Sequence, residues 1–173
     1  MTAPATASEE ARAWDALQGV EDPEIPQLSI VDLGIVRGVR VSRGPDGAAR
    51  VEADLTPTYS GCPAVSVIEL DAETALRAAG FAEVAVRRVM APAWTTDWIT
   101  ERGRQKLIEA GIAPPVAGSS NKLAILGLAD PEVSCPHCGS THTRKLSEFG
   151  STACKALWRC DACLEPFDYF KCI

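Results

Sequence analysis

The chain has 173 residues, 46% of them apolar and 23% charged, which excludes a disordered polymer and suits one ordinary domain with a small appendage. Residues 1–130 carry 12 Lys and Arg against 18 Asp and Glu, and residues 131–173 carry five of each, so neither part offers the basic surface that nucleic-acid binding needs. Met1 to Ala13 lacks the basic and apolar regions of a secretory signal, and no apolar run reaches the roughly 18–20 residues of a membrane span, so a cytoplasmic chain with no membrane partner is expected.

Ser8 to Gly19 is predicted as a short amphipathic helix, with Ser8 as N-cap and Trp14 and Leu17 on one face. Val20 to Pro26 reads as a rigid, proline-pinned loop, and Ser29 to Gly34 as one short turn. Ile35–Val41 and Ala49–Thr56 alternate apolar and polar residues around Ser42-Arg43-Gly44-Pro45-Asp46-Gly47, the pattern of a hairpin. The polar loop 56–63 leads into a helix expected from about Pro63 to Ala79, with Val65, Ile68, Ala72, Ala75 and Leu76 on its apolar face. Glu83–Met90 is a third strand, and Thr95 or Thr96 caps a further helix running to Gly111. Pro114 to Asn121 reads as a linker, and Leu123–Leu128 as an apolar segment able to pack back on the first domain.

The fold class expected is therefore α+β: a small α-β-β-α-β-type domain over residues 8–112, a linker and short apolar segment over 113–132, and a C-terminal zinc-ribbon-like β-hairpin module over 133–173. Six of the seven cysteines fall in the last 39 residues. Cys135-Pro136-His137-Cys138 and Cys160-Asp161-Ala162-Cys163 are two C-x-x-C pairs separated by 21 residues. Each tight turn brings two sulfurs to one ion, and two facing turns close a tetrahedral four-thiolate shell. One structural zinc ion is the expected occupant; a mononuclear iron accepts the same four sulfurs, and spacing alone does not separate the two. A closed shell keeps no open coordination position, so the ion is a scaffold and not a catalytic Lewis acid. His137 and His142 could substitute as ligands, but four cysteines already fill the shell. Cys154 and Cys172 read as small buried residues, a redox pair, or ligands to something else.

Cys62 is the lone cysteine of the first domain, in Tyr59-Ser60-Gly61-Cys62-Pro63. At a helix start, free N–H groups and the partial positive charge would lower its pKa and make it a thiolate, fit for a nucleophile or an exposed cluster ligand. The other reading is a small buried residue at a helix cap. Asp22, Glu24 and Asp32 either approach this loop or cap turns, and Trp94 and Trp98 belong either to the core or to an interdomain contact. Both histidines lie in the metal module, so no Cys-His pair supports a hydrolase, and one thiolate cannot hold an iron–sulfur cluster without a second protomer or a partner.

Three motifs carry a resemblance: Asp22-Pro23-Glu24-Ile25-Pro26, Ser29-Ile30-Val31-Asp32-Leu33-Gly34 and Leu55-Thr56-Pro57-Thr58-Tyr59-Ser60-Gly61-Cys62-Pro63. In this order they resemble the iron–sulfur assembly domain family over roughly residues 10–110. Trp94-Thr95-Thr96-Asp97-Trp98-Ile99, Ser147 to Leu157 and Glu165 to Cys172 narrow the likeness to one family within the bacterial phenylacetyl-CoA epoxidase system, that of phenylacetic acid degradation protein D. The resemblance implies a non-catalytic accessory or maturation factor of aerobic phenylacetate degradation. Such a factor would assist assembly or delivery of a transient iron–sulfur cluster, with the epoxidase components, above all the iron–sulfur reductase, as partners. The alternative it implies is a structural or regulatory subunit of the oxygenase complex; a homodimer is open. The family's site positions carry over to Asp22, Glu24, Asp32, Thr56 and Cys62.

Overall fold

Apolar residues at helical and strand spacing build the first unit, residues 1–94, in the computed structural model, which describes residues 3–4, 7–116 and 130–171. Helix α1 (Ala7–Gln18) buries Ala13 and Leu17. It also buries Glu9, in an ion pair with Arg43. Strand β1 (Ala3–Pro4) pairs antiparallel with β4 (Val36–Arg43), and β4 pairs with β5 (Ala49–Leu55) as the hairpin pattern predicts. Gly47, at φ 78°, allows the tight turn between them.

The segment expected as a loop after α1 is instead a small antiparallel pair, β2 (Glu21–Asp22) with β3 (Ile25–Ser29). The Asp22 carboxylate accepts the N–H groups of Glu24 at 2.8 Å and Ile25 at 3.0 Å. That side chain stands in for a turn carbonyl and folds the chain back far enough for two short strands to pair.

Helix α2 (Val65–Ala78) begins two residues after Pro63, with Ala64 at its N-cap and no side-chain cap. It buries Val65, Ile68, Ala72 and Leu76. Strand β6 (Glu83–Arg88) then runs parallel to β5, giving the sheet order β1-β4-β5-β6. On β5 the residues Val51, Ala53 and Leu55 are buried, while Glu52 and Asp54 alternate with them and pair with Arg40 and Arg87 of the neighbouring strands. One face is core and the other a charged surface, as a half-buried sheet requires. Trp94 is a core residue of this unit, and its indole N–H donates to the Leu33 carbonyl at 2.9 Å.

The second unit spans residues 95–173, so the division falls earlier than the boundary expected after 112. The single helix expected from Thr95 or Thr96 splits into a 3-10 turn (Thr96–Trp98) and α3 (Glu101–Glu109). Ile99 and Thr100 are extended between them. Thr100 supplies the true cap, its hydroxyl accepting the Gly103 N–H at 3.0 Å. Strand β7 (Ile112–Ala113) follows and pairs parallel with β10 (Pro166–Phe170), which ties residues 95–113 to the ribbon. With β8 (Thr143–Ser147) and β9 (Lys155–Cys160) the sheet order is β7-β10-β9-β8. Ala113, Val133, Cys135, Ala156, Trp158, Cys160, Phe167 and Tyr169 form its core. Trp158 and Tyr169 meet edge to face at 5.8 Å between ring centroids. The apolar segment Leu123–Leu128 and Cys172 lie outside the described residues. Among the described residues no helix is long and apolar enough to cross a membrane.

Candidate metal centre and the Cys62 loop

Two turns of the same build carry the four sulfurs. In the first, the Cys135 N–H donates to the Ser140 carbonyl and the Gly139 N–H to the Cys135 carbonyl, both at 2.9 Å. In the second, the Cys160 N–H donates to the Glu165 carbonyl at 3.0 Å, and the Cys163 N–H points at the Cys160 sulfur at 3.5 Å. The residue after each second cysteine takes a positive φ: Gly139 at 77° and Leu164 at 67°. Pairing of Thr143 with Cys160, and the Asp161 N–H on the His142 carbonyl at 2.8 Å, hold the turns side by side.

The four Sγ atoms lie within 4.8 Å of one another, with Cys135 to Cys163 at 3.8 Å and Cys138 to Cys160 at 3.6 Å. A tetrahedral ion with sulfurs at about 2.3 Å needs them about 3.8 Å apart, close to the two shorter separations, so the donor set suits one such ion. Cys135 and Cys160 are buried, Cys163 is half-buried and Cys138 is exposed. The Cys163 N–H, followed by the Ala162 N–H and the Cys138 thiol, holds Cys160 at about 6. Cys163 is pushed up to about 12: its N–H bond from Glu165 opposes the rise, but burial and the three neighbouring sulfurs outweigh it. Crowding in this way favours a thiolate at Cys160 and a thiol at Cys163 until a cation compensates the charge.

Neither histidine joins this group. His137 lies against Gly111, where an added Cβ would stand 3.1 Å from its Cε1, and His142 bonds through its backbone, its carbonyl accepting from Asp161 and its N–H donating to the Ser140 hydroxyl at 3.1 Å. Cys154 is buried, with its sulfur 3.0 Å from the Thr152 hydroxyl, in keeping with the small buried residue among its three readings.

Cys62 sits in the loop between β5 and α2 and is half-buried. The expectation of a lowered pKa is corrected here: the thiol is raised. Burial is the largest cause, and the carboxylates of Glu24 and Asp22 add to it, against the Ala64 N–H and the Tyr59 side chain. The helix start that was to lower it lies further on, at Val65. The fold thus gathers Cys62, Asp22 and Glu24, while Asp22 also caps its own turn. Asp32 is fully buried, its N–H on the Ser29 hydroxyl at 3.0 Å. Thr56 is buried with its hydroxyl unpartnered, its N–H donating to the Ile35 carbonyl at 2.8 Å. A shallow groove with room for no more than about 10 Å³ adjoins the loop, lined by Ile35, Leu55, Pro57, Val65, Ile68, Glu69 and Arg88. The Arg88 guanidinium grips Glu69 through two bonds of 2.8 Å at its rim. The pairing of Arg88 with Leu55 on β5 puts the arginine on the apolar side of the sheet.

The iron–sulfur cluster assembly protein family matches residues 10–87, and the PaaD zinc beta ribbon domain matches residues 119–171. A protein of Escherichia coli (strain K12), provisionally named as the D-type subunit of 1,2-phenylacetyl-CoA epoxidase, is 50% identical over 160 residues. The match covers 92% of this chain and 91% of that protein. Among solved structures, a domain of unknown function, DUF59, from Bacillus anthracis is 26% identical with a TM-score of 0.50, covering 58% of this chain and 92% of that one. A conserved hypothetical protein from Thermotoga maritima is 29% identical with a TM-score of 0.47, covering 62% and 98%.

Proposed function

The chain belongs to the PaaD family of phenylacetyl-CoA epoxidase components, an iron–sulfur-assembly-type domain joined to a zinc β-ribbon, and from that premise we propose that it is an accessory maturation factor of the epoxidase and not its oxygenase. On this reading it works in the cytoplasm and helps to assemble or deliver an iron–sulfur cluster to the reductase component.

The environment of Cys62 carries the proposal. It is the sole cysteine before the ribbon, and its neighbours Glu24 and Asp22 are anionic. Those carboxylates disfavour a bare thiolate, but they favour a bound cation, so the site suits iron better than nucleophilic attack. One thiolate cannot fill the coordination of a cluster, so Cys62 holds its cargo only together with ligands from the client or from a second copy. Asp32 and Thr56, the remaining family site positions, are both buried in the same unit. The four thiolates Cys135, Cys138, Cys160 and Cys163 hold one zinc ion that folds the ribbon, and the ribbon docks the client.

Metal and acid-labile sulfide analysis of anaerobically purified wild type and Cys62→Ser tests this. About one zinc in both proteins is expected from a four-thiolate site, with iron and sulfide only in the wild type. A reductase that reaches its full iron complement beside Cys62→Ser overturns the role of Cys62. The word subunit in the relative's name favours a second reading, a structural or regulatory component of the oxygenase complex. Fixed-stoichiometry co-purification with the catalytic subunits, with cluster loading unaffected by Cys62→Ser, would select it.

A further inference from the structure

The four sulfurs of the ribbon are not equivalent. Cys135 and Cys160 are buried, and Cys160 receives the Cys163 N–H. Cys138 is exposed, and the Gly139 that follows it has open space where a Cβ would be. A metal-held thiolate is still a nucleophile, and one left in solvent is the one a small oxidant reaches. Behind it, 3.6 Å away, lies the Cys160 sulfur, carried by the opposite turn.

We propose that Cys138 is a peroxide-sensing position of the metal centre: hydrogen peroxide oxidises it, Cys160 resolves it, and a disulfide between the two turns expels the ion. The inference rests on the reading of the four thiolates as a zinc site. In the first step the Cys138 thiolate attacks one peroxide oxygen, and the O–O bond breaks. Cys138 becomes a sulfenic acid and hydroxide leaves. In the second step the Cys160 thiolate attacks the Cys138 sulfur, the S–O bond breaks and a second hydroxide leaves. Two thiolates have then lost two electrons to one peroxide, and the two hydroxides take protons from solvent as water. The ion keeps only Cys135 and Cys163, half of its ligand set, and dissociates.

The product is a particular one. Pairing of Thr143 with Cys160 and the bond from Asp161 to the His142 carbonyl already hold the turns together. A Cys138–Cys160 bond therefore links the turns across the site, where a C-x-x-C disulfide would stay within one of them. The cross-link keeps the turns adjacent after the ion has gone. Reduction by a dithiol restores both thiolates in place, so the step is reversible.

The experiment uses the full chain, metal-loaded and reduced, titrated with hydrogen peroxide below one equivalent. Released zinc is read with a chromogenic chelator and modified cysteines by peptide mapping. The expected result is one zinc released per peroxide consumed, with Cys138–Cys160 as the first disulfide and zinc uptake regained after dithiothreitol. Cys138→His keeps a ligand of accepted type, so it should bind zinc and release it about tenfold more slowly under peroxide. A first disulfide within either C-x-x-C pair, or zinc release with Cys138 unmodified, overturns the proposal. If the purified protein carries a different metal or none, the zinc reading fails instead, and the position of the first disulfide still decides this one.

Discussion

Glu24 acts on Cys62 across the gap between the β2–β3 turn and the loop before α2. Burial is the larger cause of the raised thiol, and this carboxylate is the next that adds to it. Replacing Glu24 by Gln removes a negative charge beside the sulfur and so favours the thiolate. The alkylation rate of Cys62 by iodoacetamide near neutral pH, followed by peptide mapping, should rise about twofold to fivefold, with burial limiting the gain. An unchanged or slower rate would mean that the carboxylate does not govern the thiol.

Removal of the metal should separate the two units. The ribbon core is small, and metal binding supplies roughly 10–16 kcal/mol to such modules. In hydrogen-exchange mass spectrometry, a chelator should strip protection from β8, β9 and β10. Protection in β4, β5 and α2 should stay, because their core of Val39, Val51, Ala53, Ile68 and Leu76 needs no ion. Strand β7 reports the coupling: as its one strand partner among the described residues is β10, it should lose protection with the ribbon.

That same strand shows where local sequence stopped being a guide. The β4–β5 hairpin and the four-sulfur cluster were legible because alternation and C-x-x-C spacing are local signals. Ile112–Ala113 carries no strand signal of its own; it is extended because β10, distant in sequence, lies beside it. The β2–β3 pair depends on one carboxylate, Asp22, replacing a turn carbonyl. Cys62 was misread in its ionisation for the same reason. Pro63 marked a helix start, but the helix opens at Val65, and the groups that raise the thiol come from the burying core and from residues 22 and 24.

Gly150→Ala should destabilise the ribbon more than Gly139→Ala. A Cβ at residue 150 would stand 2.6 Å from the Asp168 Oδ1 and 3.4 Å from Lys155 atoms. Asp168 cannot move freely, because it pairs with the buried Lys155 at 3.6 Å and accepts the Ser151 hydroxyl at 3.2 Å. Displacing it strands a buried cation, a cost of about 1–3 kcal/mol. At Gly139 there is open space, and only its φ of 77° penalises alanine, by about 1–2 kcal/mol. Denaturant midpoints of the two metal-loaded variants decide the order.

The charged face of the first sheet sets one pH dependence. Hydrogen bonding by the Arg40 guanidinium, then by that of Arg87, holds the Asp54 carboxyl below its usual 3.8. A folded-state pKa below the unfolded one means stability that is present above the unfolded value and lost as pH falls through the folded one. Both arginines are about half exposed, so screening keeps the contribution to about 0.5–1 kcal/mol. Asp54→Asn should therefore unfold at lower urea than wild type near neutral pH, and the gap should close well below pH 3.8. A gap that persists in acid would trace the loss to packing instead of charge.

Leu164→Gly should stabilise the ribbon while deleting an apolar side chain. The two metal turns place corresponding residues at positive φ, but one is Gly139 and the other Leu164. An L-residue with a γ-branched side chain pays about 1–2 kcal/mol for that conformation, and glycine pays none. Glycine returns part of the gain by loosening the unfolded chain, which leaves a net of about 0.5–1 kcal/mol. Little burial is lost in exchange, since Leu164 is 60% exposed. Its carbonyl still accepts from the Arg159 side chain at 3.4 Å, because that bond uses backbone alone. A higher denaturant midpoint for metal-loaded Leu164→Gly is the expected outcome. A lower one would show that the leucine makes a stabilising contact large enough to outweigh its backbone strain.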